Sequence, residues 1–191
     1  MPAAQQSPTL SAVPQGDAAY PQRLTTRLGP SAPATLFIIG DPAPLQGSMT
    51  GFFCSKETPG ATILKAFDQA AAWRDAGVCV ISGFLSPLEQ QCLDILLRGK
   101  QPIVWVLARG IVTLRLPKLR RDALDDGRLT VISPFSSEEV RTSADLARQR
   151  NRVVAALATE TVFAHISPGG SLERLAAEIG KWGVRAKVLQ P

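Results

Sequence analysis

The residues of this chain best suited to chemistry are small and cationic, and they fall in three short loops and one basic run. Cys54-Ser55-Lys56, Ser82-Gly83-Phe84-Leu85-Ser86-Pro87 and Ser167-Pro168-Gly169-Gly170-Ser171 each follow a run of apolar residues. Small side chains let backbone N–H groups approach a phosphate closely. Ser55, Lys56, Ser82, Gly83, Phe84, Gly169, Gly170 and Ser171 are therefore candidate phosphate-binding positions, together with Arg109 and Gly110 at the end of a further apolar run. A single glycine-rich turn is a weak signal, because glycine also serves ordinary turns; three in one chain are stronger.

Gln149-Arg150-Asn151-Arg152 precedes Val153-Val154-Ala155-Ala156-Leu157, which places the basic run at or near the start of an apolar helix. Arg150 and Arg152 lie two positions apart and cannot share one helical face. One can reach an anion while the other packs or pairs with an acidic group such as Asp145; the alternative is two solvated arginines. Asn151 suits a helix cap or a hydrogen bond to a base edge, capping being the stronger expectation. In the second loop Ser86, Pro87 and Glu89 have the spacing of a capping box, which gives Ser86 and Glu89 structural work.

Catalytic classes are narrowed by elimination. His165 is the only histidine, has no serine and acid at triad spacing around it, and is expected to be structural. Cys54, Cys79 and Cys92 have neither zinc-site spacing nor the even count of a disulfide framework, and read as reduced thiols. No metal or cofactor is implied.

Seven apolar runs have the character of buried strands: Leu36–Ile39, Gly51–Cys54, Val78–Ile81, Ile103–Leu107, Leu129–Ile132, Val162–Ala164 and Ala186–Leu189. Between them Ala61–Ala76 and Pro87–Arg98 carry apolar residues at helical spacing, and glycines near 77, 99, 127 and 180 suit helix ends. Such alternation predicts an α/β, Rossmann-like fold with a mostly parallel sheet and helices on both faces. Ligands then bind beyond the carboxyl ends of the strands, where the three loops would lie.

At 191 residues the chain is expected to form one domain, over residues 20–191. Residues 1–19, rich in Ala, Pro, Gln and Ser with only Asp17 charged, are expected to be a flexible leader. The absence of a long apolar run or an amino-terminal signal pattern leads us to expect a cytoplasmic protein with no membrane partner. Net charge is +5, and residues 98–152 hold 12 of the 21 Lys/Arg against 6 of the 16 Asp/Glu. That concentration suggests a polyanionic or phosphate-bearing partner, or else a solvated basic surface. At 6% aromatic residues, base stacking is not expected to dominate.

Several segments in order resemble one family. Tyr20-Pro21-Gln22-Arg23-Leu24, Leu36–Gly40, Phe52–Lys56, Asp75–Gly83, Leu97-Arg98-Gly99, Leu116-Pro117, Gln149–Leu157 and Gly170-Ser171-Leu172 are similar to successive motifs of the DNA-processing protein A (DprA/Smf) family, within the wider SLOG superfamily. The resemblance covers residues 20–190, and its most diagnostic part is Arg150-Asn151-Arg152. It implies a non-enzymatic protein that binds single-stranded DNA as a homodimer and loads a RecA-type recombinase during natural transformation. It also implies a stand-alone core, because the winged-helix-like and extra helical domains of many members have no counterpart here. Cys54-Ser55-Lys56 stands where the family has Gly-Ser-Arg, Glu89 where it has aspartate, Leu93 for a histidine and His165 for a glutamate. Lysine keeps the charge but loses the bidentate fork.

Two other readings stay open. Pro168-Gly169-Gly170 resembles the Pro-Gly-Gly loop of the Lonely Guy phosphoribohydrolases, which would make the chain a nucleotide sensor or an enzyme acting on nucleoside monophosphates. Ser171-Leu172 replaces that family's Gly-Thr, Ala176 occupies the place of its catalytic glutamate, and Glu173 is a helical turn away. The core could also be a scaffold with a decayed site.

Overall fold

The computed structural model describes residues 9–112 and 114–189. One eight-stranded sheet runs in the order β1-β2-β6-β5-β4-β3-β7-β8. The strands are β1 (Leu10–Pro14), β2 (Thr35–Ile39), β3 (Thr50–Phe53), β4 (Val80–Ser82), β5 (Ile103–Val106), β6 (Leu129–Ser133), β7 (Glu160–Phe163) and β8 (Arg185–Val188). From β6 across to β8 every neighbouring pair is parallel, while β2 lies antiparallel to both β6 and β1. β3, β4 and β6 are buried at every residue, as strands covered on both faces must be, which is why they read as mostly apolar runs interrupted only by Gly51 and the small hydroxyl residues Thr50, Ser82, Thr130 and Ser133.

The sequence leads one to expect a loose leader through residue 19. Instead Leu10–Pro14 forms the edge strand β1, registered from Leu10 opposite Ile39 to Pro14 opposite Thr35. Backbone pairing compensates there for the scant burial, and Val13 alone of the five is buried. Pro14 ends the strand at a sheet edge, where its missing N–H is tolerated. Residues 1–8 of the leader lie outside the described residues.

Among the described residues six α-helices cover the sheet: α1 (Gln22–Leu28), α2 (Gly60–Asp75), α3 (Pro87–Leu96), α4 (Lys118–Asp125), α5 (Ala144–Leu157) and α6 (Ser171–Lys181). Two apolar clusters divide them. One joins α1, α5 and α6 to one face of the sheet; the other joins α2, α3 and α4 to the opposite face. Gly77 and Gly127 follow α2 and α4 at φ +73°, as left-handed helix ends require. Gly180, anticipated as such an end, lies inside α6, and Gly183 at φ +68° takes that role.

α5 begins earlier than its apolar part suggests. Ser143 caps it, with its Oγ accepting the Leu146 N–H at 3.1 Å, so Gln149–Arg152 sits in mid-helix rather than at the start. At its other end Arg27 donates through Nη1 to the carbonyls of Ala156 and Ala158 at 2.8 and 2.6 Å, and Arg23 to that of Leu157 at 3.2 Å. Two arginines of α1 thus satisfy the orphan carbonyls of α5 and fix its axis.

Candidate functional site

The chain steps from β3 to β4, β5 and β6 in one direction across the sheet, then returns to place β7 on the far side of β3. The loop after β3 leads to α2 on one face, and the loop after β7 leads to α6 on the other. Between neighbouring strands whose connections diverge, a crevice must open at their carboxyl ends. A cleft of ≈ 670 Å³ lies there, within the size range of ligand sites. Its walls are Cys54–Glu57 after β3, Leu85–Pro87 and Glu89 after β4, Ser167 and Gly170–Leu172 after β7, and Ala147, Arg150 and Asn151 from α5.

Two side chains bind the three loops to one another. The Glu89 carboxylate, 6% exposed, accepts N–H bonds from Cys54 (3.1 Å), Leu85 (2.9 Å) and Ser86 (2.9 Å), while the Ser86 Oγ accepts the Glu89 N–H at 3.2 Å. The anticipated capping box is present, and Glu89 extends it across to the end of β3. Ser55 does the same on the other side: its N–H donates to the His165 carbonyl at 3.1 Å and its Oγ accepts the Ser167 N–H at 3.0 Å. The walls are therefore set before any ligand arrives, which lowers the entropic cost of binding. Cys54 adds a thiol beside Thr58 Oγ at 2.9 Å, and burial pushes its pKa up, with the Thr58 hydrogen bond opposing.

The floor of the cleft is Arg150. Its side chain is 3% exposed, donates from Nη1 to the Val106 carbonyl at a long 3.4 Å, and its Nε has no partner among the described residues. Burial lowers its pKa, and the negative charge of Glu89 raises it. A buried guanidinium with unused donors is costly to fold around, and clefts are where proteins retain such groups. Gly83 makes room for it: a Cβ there would lie 1.1 Å from Arg150 Nη1. The Gly83 carbonyl accepts the Trp105 indole N–H at 2.9 Å, and Arg120 sits over that indole at 5.1 Å. Phe84 takes φ +43°, a left-handed conformation that is strained for a bulky residue, with its N–H on Ser82 Oγ at 3.3 Å.

Of the anticipated binding residues, Ser55, Lys56, Arg150, Asn151, Gly170 and Ser171 come together at the cleft. Ser82, Gly83 and Phe84 are buried beneath it and shape the floor rather than the surface. Gly110 lies elsewhere. Its N–H donates to the Glu139 carbonyl at 2.8 Å, and a Cβ would meet the Ser136 carbonyl oxygen at 1.9 Å, so this glycine packs two loops together. Arg109 is outside the cleft lining, and its carbonyl accepts the Ser133 hydroxyl at 2.7 Å. The Gly169 N–H is taken by the Glu173 carboxylate at 2.9 Å. Arg152 turns away from the cleft into a fork on Glu178, with three N···O distances between 2.7 and 3.0 Å. Arg152 is thus the arginine that pairs with an acid, but its partner is Glu178, and Asp145 pairs with Arg148 instead. Asn151, expected to cap, stands in mid-helix at the cleft wall.

A Rossmann-like α/β protein with a preformed, cation-floored cleft at the switch point of its sheet is the class that this fold and site define. Within it, the sequence profile of DNA recombination-mediator protein A matches residues 11–181, and the chain belongs to that family. The fold is similar to that of DNA processing protein A (DprA) from Streptococcus pneumoniae, with a TM-score of 0.78 at 15% identity over 96% of this chain and 64% of that one. It is also similar to DNA processing protein A from Helicobacter pylori, whose structure was described for its single-stranded DNA binding mode, with a TM-score of 0.72 at 13% identity over 96% and 81% of the two chains. The present chain thus spans just under two thirds of the Streptococcus pneumoniae protein. No curated protein matches it. Among the described residues no helix is long and apolar enough to cross a membrane.

Proposed function

We propose that this protein binds single-stranded DNA, without catalysis, by seating a backbone phosphate in the switch-point cleft. The observation that carries the reading is Arg150, a buried guanidinium with an unpartnered Nε on the cleft floor. Lys56, exposed in the wall above it, supplies a second positive charge. The start of α6 supplies backbone dipoles: its N-cap is Gly170, which has no side chain to occupy the first-turn N–H groups. Asn151 offers a donor and an acceptor beside them. Among the residues lining the cleft there is no aromatic ring, so recognition rests on backbone charge and not on base stacking.

Glu173 favours binding over phosphoribohydrolase chemistry. Its carboxylate closes the Pro168–Gly170 turn through the Gly169 N–H and is not among the groups lining the cleft. We extend the proposal to a homodimer that passes its strand to a RecA-type recombinase in the cytoplasm, a reading that membership of a recombination-mediator family supports. The test is fluorescence anisotropy with a labelled oligothymidylate at two salt concentrations. Lys56→Ala and Arg150→Ala should each weaken binding across sequences and flatten the salt dependence. Salt-insensitive binding, or none at micromolar protein, refutes the reading; release of free base from AMP would establish the enzymatic alternative.

A further inference from the structure

α5 carries charge round its exposed side as well as into the cleft. At about 100° per residue, Ala147, Arg150 and Asn151 face the cleft, and Arg148 and Arg152 follow on the adjoining arc beside Asn151. On that arc, between α5 and α6, lies a second hollow of ≈ 220 Å³. Asn151 and Ser171 line both hollows, so the second opens directly from the first. Its other polar residues are Arg148, Arg152, Arg174 and Glu178.

The three arginines are not equivalent. Arg152 is spent on its fork to Glu178, which fixes α5 against α6. Arg148 pairs with Asp145, but both side chains are open to solvent, where such a pair is worth little and is readily exchanged for another anion. Arg174 is exposed and has no carboxylate partner among the described residues. The hollow therefore presents one free and one exchangeable guanidinium next to the cleft, with no aromatic ring in its lining.

We propose that a single DNA strand held in the cleft leaves it over the α5–α6 groove, where Arg174, assisted by Arg148, receives the following backbone phosphates. This path rests on the reading of the cleft as a single-strand site. It makes the exit electrostatic and indifferent to sequence, and it extends the footprint beyond the nucleotides in the cleft.

The test is anisotropy with labelled oligothymidylates of about 4 and about 15 nucleotides, short and long against the usual footprint of one single-strand-binding module. Arg174→Ala and Arg174→Glu are compared with Lys56→Ala, and Arg174 is exposed, so melting temperatures should not move. For a single strand the salt slope falls by about 0.7 for every phosphate that the protein no longer neutralises, which is about a five-fold loss of affinity near 0.1 M salt. Arg174→Ala should weaken the long oligonucleotide by about that factor and leave the short one unchanged, Arg174→Glu should weaken it further, and Lys56→Ala should weaken both. Unchanged affinity and slope for the long oligonucleotide in Arg174→Glu would overturn the path while leaving the cleft reading intact. Equal weakening of both lengths by Arg174→Ala would also overturn it, by placing Arg174 at the first phosphate. Lys56→Ala without effect on either length would instead remove the cleft reading, and the path with it.

Discussion

Gly83→Ala tests how the cleft holds its cation. The added Cβ would lie 1.1 Å from Nη1, 1.8 Å from Cζ and 2.6 Å from Nε of Arg150, so alanine and the guanidinium cannot both stay. The backbone at Gly83 is pinned by the Trp105 indole at 2.9 Å, whereas Arg150 is held by one bond of 3.4 Å at the end of a flexible chain. Arg150 therefore yields. Overpacking costs about 1–3 kcal/mol in a rigid core. Here the relief of desolvating a buried charge offsets part of it, and stability should fall by about 1 kcal/mol or less. Binding should fall more. A charge-assisted hydrogen bond is worth about 1.5–3 kcal/mol, or about ten- to a hundred-fold in affinity for an oligonucleotide. Arg150→Ala should give a similar loss, and the double variant should bind like either single variant, because once the guanidinium is gone the new Cβ has nothing to displace. Anisotropy on the four proteins, with thermal melts alongside, measures the coupling. Losses that add in the double variant, or wild-type affinity in a folded Gly83→Ala protein, would refute the reasoning.

Glu89→Ala leaves three N–H groups without their acceptor, two of them on the buried residues Cys54 and Ser86, and should cost about 2–4 kcal/mol in urea unfolding, with Glu89→Gln milder because one carbonyl oxygen remains; an Ala variant as stable as wild type would contradict the bridging role. Ser86→Ala removes the cap of α3 and should cost about 1 kcal/mol in the same assay. Burial pushes the Cys79 and Cys92 thiols up to about 12 from 9.0. Above pH 9 the unfolded chain loses these protons and the folded one keeps them, so stability should decline as pH rises from about 9 toward 12, and a Cys79→Ala/Cys92→Ala variant should show a flatter decline between the same limits. If the variant's slope matches wild type, the thiols are not the source.

The parallel part of the fold is legible in the sequence because strands buried on both faces are predominantly apolar, and a polar residue is tolerated there only when its group finds a hydrogen-bond partner, as the Thr130 and Ser133 hydroxyls do. Ile103–Val106 and Leu129–Ser133 announce themselves in that way. β1 is not legible, because an edge strand is stabilised by its partner's backbone, and Leu10–Pro14 is a short run closed by a proline inside a stretch rich in Ala, Pro, Gln and Ser. At the site, Ser86-Pro87-x-Glu89 reveals its cap, since capping is local. That the same carboxylate reaches Cys54, 35 residues away, depends on strand order, which no local pattern contains. The start of α5 is obscured for the opposite reason: Val153–Leu157 marks where the helix is buried, whereas Ser143, an ordinary N-cap residue in a polar stretch, marks where it begins.

The basic composition of the middle of the chain is a poor guide to where an anion would bind, and the reason is physical. Cations are also the groups that satisfy orphan carbonyls and cover aromatic rings. Arg120 lies over Trp105, Arg121 donates to the Leu116 carbonyl, Arg128 to that of Leu97, and Arg152 is spent on Glu178. Each still contributes to the long-range field, but that field is screened within about 8 Å at physiological salt. What remains at short range is decided by position and not by count: Arg150 under the cleft, Lys56 in its wall and Arg174 at its exit. Lys56 and Arg174 lie outside the basic segment altogether, brought beside Arg150 by the return of β7 to β3. Neutralising Arg120 should therefore cost stability through the Trp105–Gly83 contact and reach the cleft only through the placement of Arg150, whereas neutralising Lys56 should reduce affinity and leave stability unchanged. The ratio of the two effects, measured in paired melts and titrations, separates structural cations from binding ones.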